Sequence, residues 1–270
     1  MSPRKSLTVV LAAAALAQAA CLIPIYVDDP GRFGRWGEAF QRTIALEPGR
    51  AITLDAGLGD IEIRGWEKNE VEVFAAEDWA EADGRRSWMA SGRGAVTPRV
   101  EMEKTADGSL RIKARSRDES LSEDRAVRLV IRVPHSVDLE EVRAGRGQVL
   151  VADVFGKARV RLDEGDVRFE NCSGSLEVEL DRGSVEAELL DLRPEDVVRI
   201  SIRQGPITLF LEPSVAAAVE LNAPNGRLAC EFDRGTPVSG TKAAGRIGGT
   251  SGAAVRLTSL NGDVSVLKAK

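Results

Sequence analysis

The sequence predicts an all-β protein, a solenoid-like stack of short β-strand coils joined by glycine turns; a β-sandwich built from similar hairpins is the alternative. Three observations carry this prediction. A pattern of glycine, any residue, apolar, any residue, apolar or small recurs at Gly147, Gly165, Gly183 and Gly205, with spacings of 18, 18 and 22 residues. Such spacings are too short for a helical repeat and suit a coil of two strands. Superposing the units also aligns apolar columns, Val149/Val167/Val185/Ile207 and Val151/Phe169/Ala187/Leu209, with a third of Val154/Cys172/Leu190 seven residues after each glycine. Because strand side chains alternate in direction, each column belongs to one face. Finally, the outward positions alternate in charge from unit to unit, as in Glu141/Arg159/Glu177/Arg199, Arg161/Glu179 and Arg168/Glu186, which is what stacked neighbours prefer.

Each unit has a second alternating segment before its glycine: Val142/Ala144, Val160/Leu162, Val178/Leu180 and Ile200/Ile202. The pattern extends to Gly59 with Ile61/Ile63, to Gly226 with Leu228/Cys230 and to Gly262 with Val264/Val266. In-register stacking of these units, in chain order, would bury one continuous core with a rise of about 4.8 Å per coil.

In chain order, residues 1–20 read as an export signal: Arg4 and Lys5, the apolar run Leu7 to Leu16, and small residues before Cys21. The run is too short to anchor the chain across a bilayer. Ala19-Ala20-Cys21 resembles the lipobox of bacterial lipoproteins, with Gln18 where leucine is usual, and makes Cys21 the expected lipidation site; cleavage after Ala19 is the alternative. Residues 21–42 form a tether rich in Gly, Pro, Asp and Arg, and residues 43–270 form the β-repeat domain. Trp66, seven after Gly59, falls in the Val154 column and reads as core. Residues 77–94 interrupt the alternation as an insertion. Asp107-Gly108 marks a hairpin between Val100/Met102 and Leu110/Ile112, and Val127 to Val133 is a strand stopped by Pro134. Asp233 to Ala253 reads as a long glycine-rich surface loop, crossed at most by a short bridge at Ile247.

The run Leu54 to Gly65, the Ile131 to Pro134 strand end, the serial Gly-x-Val-x-Val units and the closing Asn261 to Val266 together resemble a bacterial β-strand-repeat domain family of unknown function whose members are provisionally called adhesins. The resemblance covers about residues 43 to 268. It implies an exported or surface-attached, mostly β protein tied to the cell envelope. The insertion and the glycine-rich loop depart from the family's plainest pattern, and no functional residues carry over.

Chemistry is sparse. The single histidine, His135, excludes His-paired zinc sites, and three scattered cysteines make no CxxC knuckle. There is no Gly-x-Ser-x-Gly elbow and no Walker-type phosphate loop. No cofactor is expected. Asp163, Glu164, Asp166 and Asp181 are the candidates for acid catalysis, but they sit beside turn glycines, where carboxylates usually serve local hydrogen bonding. With 37 cations against 42 anions, or 35 against 42 once Arg4 and Lys5 leave with the leader, nucleic acid is not an expected partner. Cys172 and Cys230, three coils apart in chain order, are expected as buried free thiols.

The function expected is a non-enzymatic, cell-envelope scaffold or adhesin-like binding protein, anchored to a membrane by lipid, with an envelope component or glycan as partner. The alternatives are a surface carbohydrate-active enzyme and a partner-binding regulator of an envelope stress response. Candidate partner-binding residues are Trp79, Arg85, Arg86 and Trp88 in the insertion, because exposed aromatics and arginine concentrate binding energy. Alternatively, Trp79 and Trp88 cap the open end of the stack.

Overall fold

The computed structural model describes residues 40–79, 98–115, 125–232, 240–249 and 252–269. Among them every regular element is a β-strand, and the strands join in one open, non-closed sheet. The N-terminal part holds β1 (Phe40–Ala45), β2 (Ala51–Ala56), β3 (Ile61–Trp66), β4 (Glu70–Trp79), β5 (Arg99–Lys104), β6 (Leu110–Arg115) and β7 (Arg125–Pro134). Three long strands follow: β8 (Asp138–Ala152), β9 (Ala158–Ser173) and β10 (Leu176–Asp191). The C-terminal part comprises β11 (Val197–Gln204), β12 (Ile207–Leu211), β13 (Ala217–Asn222), β14 (Leu228–Cys230), β15 (Lys242–Ile247), β16 (Ala253–Asn261) and β17 (Val264–Lys268).

Strands β8, β9 and β10 pair in parallel with equivalent residues opposite one another: Val149, Val167 and Val185; Val151, Phe169 and Ala187; and Gly147, Gly165 and Gly183. The glycine divides each strand into two arms. Gly183 has φ +138°, and a Cβ on it would lie 1.6 Å from the carbonyl oxygen of Gly165, so both conformation and close approach exclude any other residue. The two main apolar columns, and the apolar pairs preceding each glycine, are all buried.

The order of levels differs from the chain order. Strands β2 and β3 lie between β8 on one side and β6 and β7 on the other. At the far end β16 and β17 lie between β11 and β12 on one side and β13 and β14 on the other. The Gly262 unit therefore follows Gly205, and the Gly226 unit comes last. In the second arm Val264 and Val266 are fully enclosed, whereas their neighbours Leu228 and Cys230 of the terminal level are only partly covered. The more apolar unit gains more by being flanked on both sides.

Antiparallel strands cover the exposed levels. Strand β5 pairs with β6, β4 with β7, β1 with β4, and β15 with β13. Covering an edge removes a template for pairing with another chain. Strand β15 runs through the middle of the stretch expected as a glycine-rich loop, and Ile247 is fully buried against β13. The Asp107-Gly108 hairpin forms as expected, with Gly108 at φ +85°.

Two side-chain placements depart from the sequence expectation. Leu189, not Leu190, stands opposite Cys172, and Leu190 is 36% exposed. The cause is an extra residue in β9: Asn171 takes φ 54° and its amide donates to Asp153 one level away, itself at φ 58°, while β10 has no counterpart. Trp66 is half-buried rather than core. Its indole N–H donates to the Glu70 carbonyl at 2.8 Å, and the Lys68 ammonium lies 4.5 Å from the ring centroid.

The predicted charge pairs form at Arg159–Glu177 (2.8 Å), Arg161–Glu179 (3.1 Å) and Arg168–Glu186 (3.5 Å). Glu141 does not face Arg159, because a bulge between Leu139 and Val142 offsets it; it meets Arg143 at 2.8 Å and Arg161 at 3.4 Å instead.

Candidate functional site

The candidate residues named from sequence divide at once. Cys21, Arg85, Arg86 and Trp88 lie outside the described residues. Trp79 is the last residue of β4, opposite Arg125 of β7, so the strand continues through Glu77 and Asp78, where the alternation of the sequence breaks.

His135 is engaged in the corner of the sheet. Its Nδ1 is 2.7 Å from the Asp153 carbonyl, its Nε2 is 3.5 Å from a Glu67 carboxylate oxygen, and its ring stacks on Phe155 with centroids 5.2 Å apart. Among the described residues no group of three His, Cys, Asp or Glu side chains could hold a metal ion.

Three of the four acidic candidates, Glu164, Asp166 and Asp181, are occupied with holding one level to the next. Glu164 lies between Arg146 (3.1 Å) and Arg182 (3.3 Å), and Asp181 meets Arg203 at 2.6 Å. Asp166 accepts from the Ser184 backbone N–H at 3.1 Å and from its hydroxyl at 2.5 Å. The same clamp recurs where Asp60 accepts from the Gln148 N–H (3.0 Å) and Asp263 from the Arg227 N–H (2.9 Å). The Arg227 N–H, followed by its guanidinium, holds the Asp263 carboxyl below the usual range. A carboxylate one residue after the turn glycine is therefore a tie between levels.

A different surface stands out once the levels are ordered. On the outer face of the first arm, β8, β9 and β10 present Arg143, Arg159 and Arg161 against Glu141, Asp163, Glu177, Glu179 and Asp181. Across β11, β16, β13 and β15 the same face presents Arg199, Arg203, Arg256, Lys242 and Arg246, with Glu220 as the carboxylate among them. The register puts Arg199 beside Arg256 and Arg256 beside Glu220. One column over, Ser201, Thr258, Asn222 and Lys242 form a row across the four strands. Arg256 pairs with Glu220 at 2.7 Å and Arg203 with Asp181, while Arg199 and Lys242 make no ion pair among the described residues. An open depression of about 390 Å³ lies over β13, β15 and β16, lined by Glu220, Asn222, Lys242 and Thr258 among others. The Asn222 side-chain oxygen has no hydrogen-bond partner among the described residues.

Sequence reasoning misses this face. Chain order places the Gly226 unit next to Gly205, and Lys242 and Arg246 fall in a stretch read as loop. The signal that points to it is that Ser201, Thr258 and Asn222 replace the charged column of Arg143, Arg161 and Glu179.

No family model and no curated protein matches the chain. Solved structures are similar to it at low identity. A protein from Clostridium sporogenes, provisionally described as a cell adhesion protein, is 13% identical, with a TM-score of 0.49 over 86% of this chain and 100% of that one. A provisional adhesin from Bacteroides fragilis is 10% identical over 85% and 97%, with a TM-score of 0.28. A provisional lipid-binding protein from Parabacteroides distasonis is 10% identical over 86% and 97%, with a TM-score of 0.24.

Proposed function

We propose that the chain is a non-enzymatic, adhesin-like binding protein of the cell envelope, a solenoid-like β-stack exported by its leader and tethered through an acylated Cys21. The in-register parallel pairings from β2 and β3 to β13 and β14 support the solenoid-like reading. The observation that carries the non-enzymatic reading is the commitment of Glu164, Asp166 and Asp181 to arginines and neighbouring amides. Catalytic carboxylates instead need separated environments that push their pKa values apart. What the stack offers is a broad regular surface on which partners can be held.

The test uses the full chain expressed in a bacterium that acylates lipoproteins. Wild type is expected in the membrane fraction with incorporated fatty acid, and Cys21→Ser in the soluble exported fraction. The purified Cys21→Ser chain is expected to be retained on insoluble envelope material without releasing reducing sugar or peptide. Release of fragments, or no retention, overturns the proposal.

A further inference from the structure

We infer that the outer face of β11, β16, β13 and β15 is a binding site for an acidic polysaccharide, a polyhydroxylated chain bearing carboxylates or phosphates. The inference rests on the binding role proposed above and names the ligand class. Charge is the first argument. The protein is acidic overall, with a formal charge of −5, yet this face gathers Arg199, Arg203, Arg256, Lys242 and Arg246, with Glu220 within it and Glu177 and Asp181 of β10 along its edge opposite Arg199 and Arg203. The face of β8 to β10 is acidic, so the cations are segregated to one end of the stack, where field and ligand can meet. Arg199 and Lys242, without ion pairs among the described residues, lose no internal partner when they take up an anion.

Hydrogen-bonding capacity decides which polyanion fits. Between and beside the cations lie Ser201, Thr258, Asn222 and Glu220, a row of hydroxyl, amide and carboxylate groups. The Glu220 carboxylate, which also accepts from Arg256, and the buried Asn222 oxygen, unpartnered among the described residues, are acceptors. A phosphate or carboxylate has no proton to give them, whereas a sugar hydroxyl does. A nucleic acid would seek stacking platforms, and the described residues of this face include no aromatic side chain. A polymer alternating anionic groups with hydroxyls satisfies both halves of the row. Neighbouring strands lie about 4.8 Å apart, so a linear polymer crossing them meets donors and acceptors at regular intervals.

The Cys21→Ser chain is titrated with a polyuronate of defined length, a neutral dextran of equal length, and phosphatidylglycerol vesicles, at low and high salt. The polyuronate is expected to bind, with affinity falling as salt rises. Arg199→Glu with Lys242→Glu should weaken it at least tenfold, Thr258→Ala with Asn222→Ala severalfold, and Arg143→Glu with Arg161→Glu, on the acidic face, not at all. Unchanged far-UV circular dichroism and melting show that the variants fold. Equal binding of dextran, stronger binding of the vesicles, or equal loss in the acidic-face control overturns the site. Polyuronate binding lost while retention on whole envelope persists removes this inference alone; loss of both removes the proposed function.

Discussion

Gly262 is stacked between Gly205 and Gly226. A Cβ on Gly262 would lie 2.1 Å from the Gly205 carbonyl oxygen, and a Cβ on Gly226 would lie 2.0 Å from that of Gly262. These contacts place the last unit of the chain inside the stack, and they set how far side chains on neighbouring levels stand from each other.

Gly183→Ala should destabilise the protein by about 3 kcal/mol or more, since the methyl would clash with the Gly165 carbonyl at a φ that L residues avoid. Gly49→Ala, at φ +75° with nothing within 4 Å of the added carbon, should cost about 1 kcal/mol. Urea denaturation of the two variants checks this; equal midpoints would contradict the stacking of the glycines.

Phe169→Asp should abolish folding or expression, because a charge would enter the column between Val151 and Ala187 in place of a side chain that is 2% exposed. Arg168→Asp removes an exposed pair and should cost about 1 kcal/mol or less. Thermal melts followed by circular dichroism separate the two.

The thiols should differ in reactivity. Cys172 is buried and donates weakly to the Glu170 and Val151 carbonyls, and burial pushes its pKa up to about 11. Cys230 is only half-buried, where the sequence leads one to expect both thiols enclosed. In native protein at pH 8, a maleimide should label Cys230 and spare Cys172. The folded state holds the Cys172 proton more tightly than the unfolded chain, so this contribution to stability is complete below the unfolded value near 9 and is lost as pH rises towards 11. Cys172 on β9 and Cys230 on β14 stand four strand steps apart, through β10, β12 and β17. That is about 19 Å at strand spacing, so mass spectrometry should find no crosslink between them.

Asp107 should titrate with a midpoint of about 2, held down first by the Thr105 hydroxyl at 2.5 Å and then by that of Ser109 at 2.7 Å. Its folded pKa is depressed, so what it contributes to the β5–β6 hairpin is present above about pH 4 and lost as pH falls through 2. Carboxyl carbon NMR measures the midpoint, and Thr105→Ala should raise it.

The face assignments of the repeat were legible in sequence because they are local. A period of two places Val149 and Val151 on one side and Leu150 on the other whatever the neighbours are. The position of each turn glycine was equally local, and so was the Asp107-Gly108 hairpin. The bulge at Leu139 to Val142 and the extra Asn171 were not legible, since one inserted residue leaves the alternation intact on both sides and shows only when two strands are set against each other. For the same reason Trp66 and Leu190 lay in core columns by counting and outside them in space.

By itself, the sequence determined an all-β chain of glycine-punctuated units, the residues that point inward, and a set of carboxylates suited to turns. Only the tertiary structure decided which unit lies beside which. Every unit carries the same inside-outside code, so the code cannot rank them; the ranking comes from a competition to be flanked on both sides, which Val264 and Val266 win over Leu228 and Cys230. That non-local choice brings Arg256 beside Arg199 and Thr258 beside Asn222. The basic face exists because of the order of levels, and residues as far apart in the chain as Arg199 and Arg256 cannot announce in sequence that they will be neighbours.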